Sequence, residues 1–199
     1  MAPVSTPAGK GVTTMHEIRW HGRGGQGAVT SAKILADAAF RSGFAGVTSQ
    51  PSFGAERRGA PITASTRLAE EPIRVLNQVT EPDIVVVLDD TLIGVGNATA
   101  GMRPGGMLIV NTVKPAAELG VTRGDIRIVT SDVTGAAQAV DLIVGGQPMV
   151  STAILGAIAS ATGLITLESV EAAIGHAFSG KAAHKNIEAA KIAFECTKA

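Results

Sequence analysis

The chain has 199 residues and a balanced charge, Lys+Arg 17 against Asp+Glu 17, so no net positive field points to nucleic acid or an anionic membrane as partner. Hydrophobic residues make up 45% but aromatic residues only 3%, and glycines number 24, so the core must be built from Ala, Val, Ile and Leu at close approach. The single cysteine, Cys196, cannot form an internal disulfide, hold an iron–sulfur cluster or complete a structural zinc site.

Residues 1–14, MAPVSTPAGKGVTT, carry little to bury and are expected to form a flexible tail, with 15–199 as one domain behind it. No apolar signal segment precedes the first strand, and a soluble, cytoplasmic protein is expected. In HEIRWHG, Ile18 and Trp20 alternate with Glu17 and Arg19, predicting a strand that runs directly into a glycine loop. Ala28, Ala32, Leu35 and Ala39, broadened by Ala36 and Phe40, predict a helix ended by Ser42 and Gly43.

A short extended piece around Val47 precedes a turn-rich loop from Pro51 to Pro61, after which Ile62, Ala64 and Thr66 alternate as a half-buried strand. Glu70, Glu71 and Pro72 fit a hairpin turn before IRVL. PDIVVVLDD, GGMLIVNT and DIRIVTSD have the unbroken apolar pattern of strands buried on both faces, with helical segments around Thr91 to Ala100 and Val133 to Leu142.

The uncharged run from Leu142 to Ile165 is long enough to span a bilayer, but Gly145, Gly146, Gln147 and Pro148 interrupt it. A buried soluble helix over Ser151 to Ala161 is expected instead. A second helix carries Leu167, Val170, Ile174 and Phe178 behind Thr166 as N-cap and Glu168 in its first turn; a third carries Ile187, Ala190 and Phe194. The elements assemble into an α/β fold: a three-layer sandwich with a mostly parallel, mixed sheet and a helical C-terminal third.

Two loops hold the candidate chemistry. In HGRGGQGAVTSAKIL, Gly22, Gly24 and Gly27 satisfy G-x-G-x-x-G, which fits a dinucleotide loop, a tight turn that packs a helix, or another anion site made by the amides of Gly24, Gly25, Gln26 and Gly27. The dinucleotide reading lacks its acid, because Thr, Ser, Gln and Pro stand where the second strand ends and Glu56 comes about thirty residues after the loop rather than about twenty. In SFGAERRGAP, Arg57 and Arg58 can grip a phosphate or carboxylate, or one can pair with Glu56. His16, His21, His176 and His184 are too scattered to suggest a metal site or a triad, and one of Asp89 and Asp90 is expected to N-cap the helix after them.

GRGGQG followed by PSFGAERRGAP, and then PDIVVVLDDTLI, GGMLIVNT, PMVSTAILGAIASATGLITLESVEAAI and KNIEAAKIAFE, resembles the gamma subunit, or the equivalent domain, of the 2-oxoacid:ferredoxin (acceptor) oxidoreductases. The resemblance covers about Arg19 to Glu195. It implies membership of an enzyme complex that decarboxylates a 2-oxoacid oxidatively to acyl-CoA and CO2, using thiamine diphosphate, Mg, [4Fe-4S] clusters and coenzyme A, with FAD added where NAD is the acceptor. None of these cofactors is expected to be held by this chain alone.

Its implied partners are thiamine diphosphate-binding alpha/beta-type subunits and a ferredoxin-like iron–sulfur subunit. On this reading Gly24, Gly25, Gln26, Gly27, Arg57 and Arg58 form a coenzyme A site or a subunit interface. Subunit contact needs only complementary charge, whereas coenzyme A also needs an adenine pocket that the sequence does not locate. No catalytic residue is expected on the chain. The rival readings are a free-standing NAD-binding Rossmann oxidoreductase, resting on G-x-G-x-x-G alone, and a non-enzymatic binding module.

Overall fold

Alternation along the first strand places Ile18 and Trp20 on one face of a sheet and Glu17 and Arg19 on the other. In the computed structural model, which describes residues 15–51, 58–75 and 77–198, this strand, β1 (Met15–Arg23), runs through the middle of a six-stranded sheet. The others are β2 (Gly46–Pro51), β3 (Pro61–Ala69), β4 (Ile84–Val87), β5 (Met107–Asn111) and β6 (Arg127–Ser131), in the order β2-β3-β1-β4-β5-β6. The pairs β1–β4, β4–β5 and β5–β6 are parallel; β3 is antiparallel to both β1 and β2. The expected tail and the part of the loop holding Glu56 and Arg57 lie outside the described residues.

The α-helices among the described residues are, in order, α1 (Ala28–Arg41), the four-residue α2 (Leu92–Val95), α3 (Val133–Ala139), α4 (Val150–Thr162), α5 (Leu167–Ala177) and α6 (Gly180–Cys196). Along β4, Ile84 and Val86 join an apolar cluster with α1 and α3 to α6, whereas Val85 and Val87 join Leu92, Ala98 and Met102 on the opposite face. The mixed sheet is therefore covered thickly on one side and thinly on the other. Trp20, with no exposure, donates its indole N–H to Thr66 Oγ1 at 3.0 Å, so the chain's one tryptophan is buried with its polar atom satisfied.

Several expectations need correction. Phe40 is 63% exposed; α1 is packed by the sheet on one side and by α4 and α5 on another, so Ser31, Ile34 and Ala38 broaden its buried stripe instead. Between Thr91 and Ala100 only α2 is helical, because Gly94 and Gly96 sit inside the segment and Asn97 takes a left-handed backbone. Residues 73–75, directly after the Glu70–Pro72 turn, form no strand, because both edges of β3 are already taken by β1 and β2. The chain instead passes across the polar face of β1 and β3, where Arg67, 1% exposed, donates to Asn77 O at 2.8 Å and to Asn77 Oδ1 at 3.0 Å.

β3 keeps the expected half-buried alternation from Ile62 to Thr66, with Ala64 and Thr66 buried and Thr63 and Ser65 partly exposed, and is buried on both faces only over its last four residues, Thr66 to Ala69. Arg67 pairs with Glu17 at 2.8 Å, and Arg103 joins Glu17 and Asp83, each at 3.0 Å. On the same face Arg19 Nε donates to His21 Nε2 at 3.1 Å; since a guanidinium only donates, that ring nitrogen carries no proton. Burial, reinforced by the Arg19 charge, pushes the His21 pKa down to about 4.

The glycine that decides helix packing is Gly156 on α4. A methyl there would run into the carbonyl oxygen of Ala190 on α6, so backbone lies directly on backbone where α4 and α6 cross. Eleven of the thirteen residues of α4 are buried, which accounts for the uncharged run without a bilayer; no helix among the described residues is long and apolar enough to cross a membrane.

Gly156→Ala should therefore destabilise the chain by about 3 kcal/mol in chemical unfolding. Gly175→Ala, with open space at the same atom on α5, should be neutral or stabilising by up to about 1 kcal/mol. A harmless Gly156→Ala would contradict the crossing. The unfolded chain takes up a proton at His21 near pH 6.5 that the folded chain refuses until about pH 4. Stability should therefore be full above pH 6.5 and fall on acidification towards pH 4, by an amount on the order of 3 kcal/mol, and His21→Gln should flatten that limb of the unfolding profile.

Candidate functional site

The connection from β1 leaves over the thick face through α1, and the connection from β4 leaves over the thin face through α2, so the carboxyl ends of these neighbouring strands gape apart. In open α/β sheets that reversal point is where ligands settle. Here it opens into a cleft of about 1200 Å³. The walls include Arg23 to Thr30, Arg58, Leu88 to Asp90, Asn111 to Val113, Asp132, Thr134 and Val144 to Val150 without Gly146.

The two loops singled out from the sequence meet here. Gly24 N donates to Ala60 O at 2.8 Å and Gly59 N to Gly24 O at 2.9 Å, a short parallel ladder that lays Arg58 beside Gly24. Gly24, Gly25, Gln26, Gly27 and Arg58 all line the cleft; Arg57 lies outside the described residues. Gly27, at φ 80°, is the N-cap of α1, and a Cβ there would come within 2.7 Å of Ser151 Cβ on α4. The amino ends of α1 and α4 therefore converge, and both direct unsatisfied first-turn amides and positive dipole ends at the cleft.

Two residues that the sequence did not assign to the site, Arg23 and Asp89, organise it together with Gln26. Arg23 Nε pairs with Asp89 Oδ2 at 2.9 Å, its Nη2 donates to Thr91 Oγ1 at 2.8 Å and its Nη1 to Gly59 O at 3.2 Å. Gln26 turns its side chain inward, its Oε1 accepting from Arg23 N at 2.7 Å and its Nε2 donating to Asp89 Oδ2 at 3.3 Å. Burial alone would raise the Asp89 carboxyl, but donation from Thr91, Arg23 and Gln26 outweighs it and holds the group below the usual carboxylate range. The N-cap of α2 is Thr91, without a side-chain cap bond; Asp89 accepts from Thr91 N, and Asp90 pairs with Lys114 at 2.9 Å, so neither aspartate is the expected cap.

Asp132, unremarked in the sequence, is a side-chain N-cap, accepting from Gly135 N at 2.7 Å. Asn111 joins the floor to α3 by donating to Leu88 O and Thr134 Oγ1, each at 2.9 Å. Beyond it, strands β7 (Ile143–Val144) and β8 (Gln147–Pro148) make a hairpin whose turn glycines, Gly145 and Gly146, have φ of 59° and 78°. Two glycines with positive φ are the signature of that turn, and they could have been read from the sequence as a hairpin rather than an interruption. The rim is apolar, with Val113 79% and Val144 61% exposed.

No three of His, Cys, Asp and Glu gather to hold a metal ion among the described residues. The NAD reading fails on topology as well as on the missing acid: β3 lies between β1 and β2, so the second strand of a dinucleotide fold is not beside the first.

Fold and site together define an open α/β module with a ligand-receiving crevice at its strand ends. Residues 17–196 match the family model described as pyruvate ferredoxin/flavodoxin oxidoreductase, and the chain belongs to that family as one of its gamma-type subunits. It is 51% identical over 185 residues, 92% of this chain and 97% of the other, to the pyruvate/ketoisovalerate oxidoreductases common subunit gamma of Thermococcus kodakarensis. To the pyruvate synthase subunit PorC of Methanothermobacter marburgensis it is 47% identical over 186 residues, 92% of this chain and 98% of that one. The crystal structure of pyruvate oxidoreductase subunit PORC from Thermotoga maritima superposes with a TM-score of 0.79 at 34% identity, covering 92% of this chain and 97% of that chain.

At Gly27, Ala would force both a left-handed backbone and a clash with Ser151. Gly27→Ala should cost about 2 kcal/mol of stability, and adding Ser151→Gly should recover part of it in the same unfolding assay. Full additivity of the two substitutions would contradict the convergence of α1 and α4.

Proposed function

We propose that this chain serves a multisubunit, cytoplasmic 2-oxoacid:ferredoxin oxidoreductase by holding coenzyme A in the cleft between its glycine loop and Arg58. The observation that carries the reading is the Gly24–Arg58 ladder, which places one exposed guanidinium beside two converging helix amino ends. Coenzyme A fits this donor set: phosphates suit Arg58 and the first-turn amides, and Thr112, Thr134 and Gln138 offer further polar groups along the cleft wall. At about 1200 Å³ the space exceeds the 300–1,000 Å³ usual for small ligands, as a long nucleotide thioester carrier requires. When bound, coenzyme A supplies the thiol that accepts the acyl group.

The relatives named for pyruvate and ketoisovalerate favour small 2-oxoacids as substrates of the complex. The thiamine diphosphate with its Mg and the [4Fe-4S] clusters then sit on companion alpha/beta-type and ferredoxin-like subunits, with FAD joining where NAD is the acceptor. The exposed Val113 and Val144 at the cleft mouth favour a second use of the same rim, contact with the thiamine-binding subunits.

In the assembled complex, viologen reduction with pyruvate should depend on coenzyme A, and Arg58→Ala should raise the KM for coenzyme A about tenfold, the loss of one charge-assisted contact. Arg57→Ala tests the neighbouring position in the same assay. Unchanged kinetics and intact assembly in both variants would overturn the proposal.

A further inference from the structure

A cleft assigned to an anion is lined by three aspartates, which is a contradiction unless their charge is already spent. Asp90 is paired with Lys114 and Asp132 is bonded to the amide of Gly135. Asp89 is the most fully committed: its Oδ2 accepts from Arg23 and Gln26, and its Oδ1 accepts from the amide and hydroxyl of Thr91. Arg23 is committed to the same degree, to Asp89, Thr91 and the carbonyl of Gly59. A guanidinium whose donors are spread over the end of β4, the start of α2 and the loop before β3 is a bracket between chain segments, and its charge is neutralised locally.

Gly59 is the residue that hands this bracket on. It accepts from Arg23 at 3.2 Å and donates to Gly24 O at 2.9 Å, so the backbone adjoining Arg58 is held from both sides. Arg58 itself is exposed, and its guanidinium lies towards the hairpin turn, with Nη2 3.9 Å from where a Cβ of Gly145 would stand. We infer that Asp89 is a positioning residue for the anion bound in this cleft: by fixing Arg23 it fixes Gly59, and through Gly59 the aim of Arg58.

The inference rests on the coenzyme A reading above. An Asn at position 89 keeps the shape but supplies one acceptor oxygen and an NH2 group that opposes the donors of Arg23 and Thr91. Arg23 then loosens its hold on Gly59, and ligand binding has to order the Arg58 loop at the expense of affinity. Because Asp89 takes no part in bond making, the effect falls on KM for coenzyme A rather than on kcat.

The test uses the assembled complex, with pyruvate, viologen as acceptor and coenzyme A varied, comparing Asp89→Asn, Arg58→Ala and the double variant. Asp89→Asn should raise the KM for coenzyme A five- to tenfold with kcat changed less, and in the Arg58→Ala background it should add less than twofold, since residues acting through one another are not additive. Should Asp89→Asn fail to assemble, Thr91→Ala, which removes one partner from both Asp89 and Arg23, should give the same split at about threefold. Fully multiplicative effects, a fall mainly in kcat, an unmoved KM, or a lowered KM from an Arg23 freed to bind the anion would each overturn the positioning role. If Arg58→Ala alone leaves KM unchanged, it is the coenzyme A reading that fails.

Discussion

The Arg23–Asp89 pair spans the one place where the sheet is split. Chains leaving β1 and β4 depart over opposite faces, so nothing in the backbone closes the gap between their ends. A side-chain bridge from the last residue of β1 to the end of β4 does so at 2.9 Å, and a third hydrogen-bonding arm of the same arginine gathers in the loop before β3. Partly exposed ion pairs contribute little to stability by themselves. What this one supplies is geometry: it ties together three of the six segments, distant in sequence, that wall the cleft.

The electrostatic character of the cleft follows from the same economy. Its carboxylates are consumed by Arg23, Lys114 and a helix cap, and the inward amide of Gln26 is consumed by the loop itself. Among the described residues, the groups directed at the opening are Arg58, the amide ends of α1 and α4, and neutral hydrogen-bonding side chains. Such a set of donors is suited to binding and orienting an anion.

Local patterns were legible in the sequence wherever burial alone decides the structure. Alternation exposed β1, unbroken valine and isoleucine runs exposed β4 to β6, and Thr166 marked the start of α5. Long-range polar pairs were not legible. Arg67 reads as a solvated strand residue because its partner Glu17 is 50 positions away, and that pairing is what draws the following segment across the sheet instead of into a hairpin. Likewise the glycine loop and the arginine loop each stood out, but their ladder joins Gly24 to Arg58 by a single bridge, and Arg23 meets Asp89 across 66 positions. Neither pairing leaves a periodic trace.

The glycine loop and the arginine loop form one structural unit, and amide hydrogen exchange at Gly24 and Gly59 measures this most directly. Both amides donate across the ladder, so both should be protected and should exchange through the same opening, with the same dependence on low denaturant. Exchange of either amide at the rate of an unstructured peptide, while the strands remain protected, would show two independent loops and contradict the account.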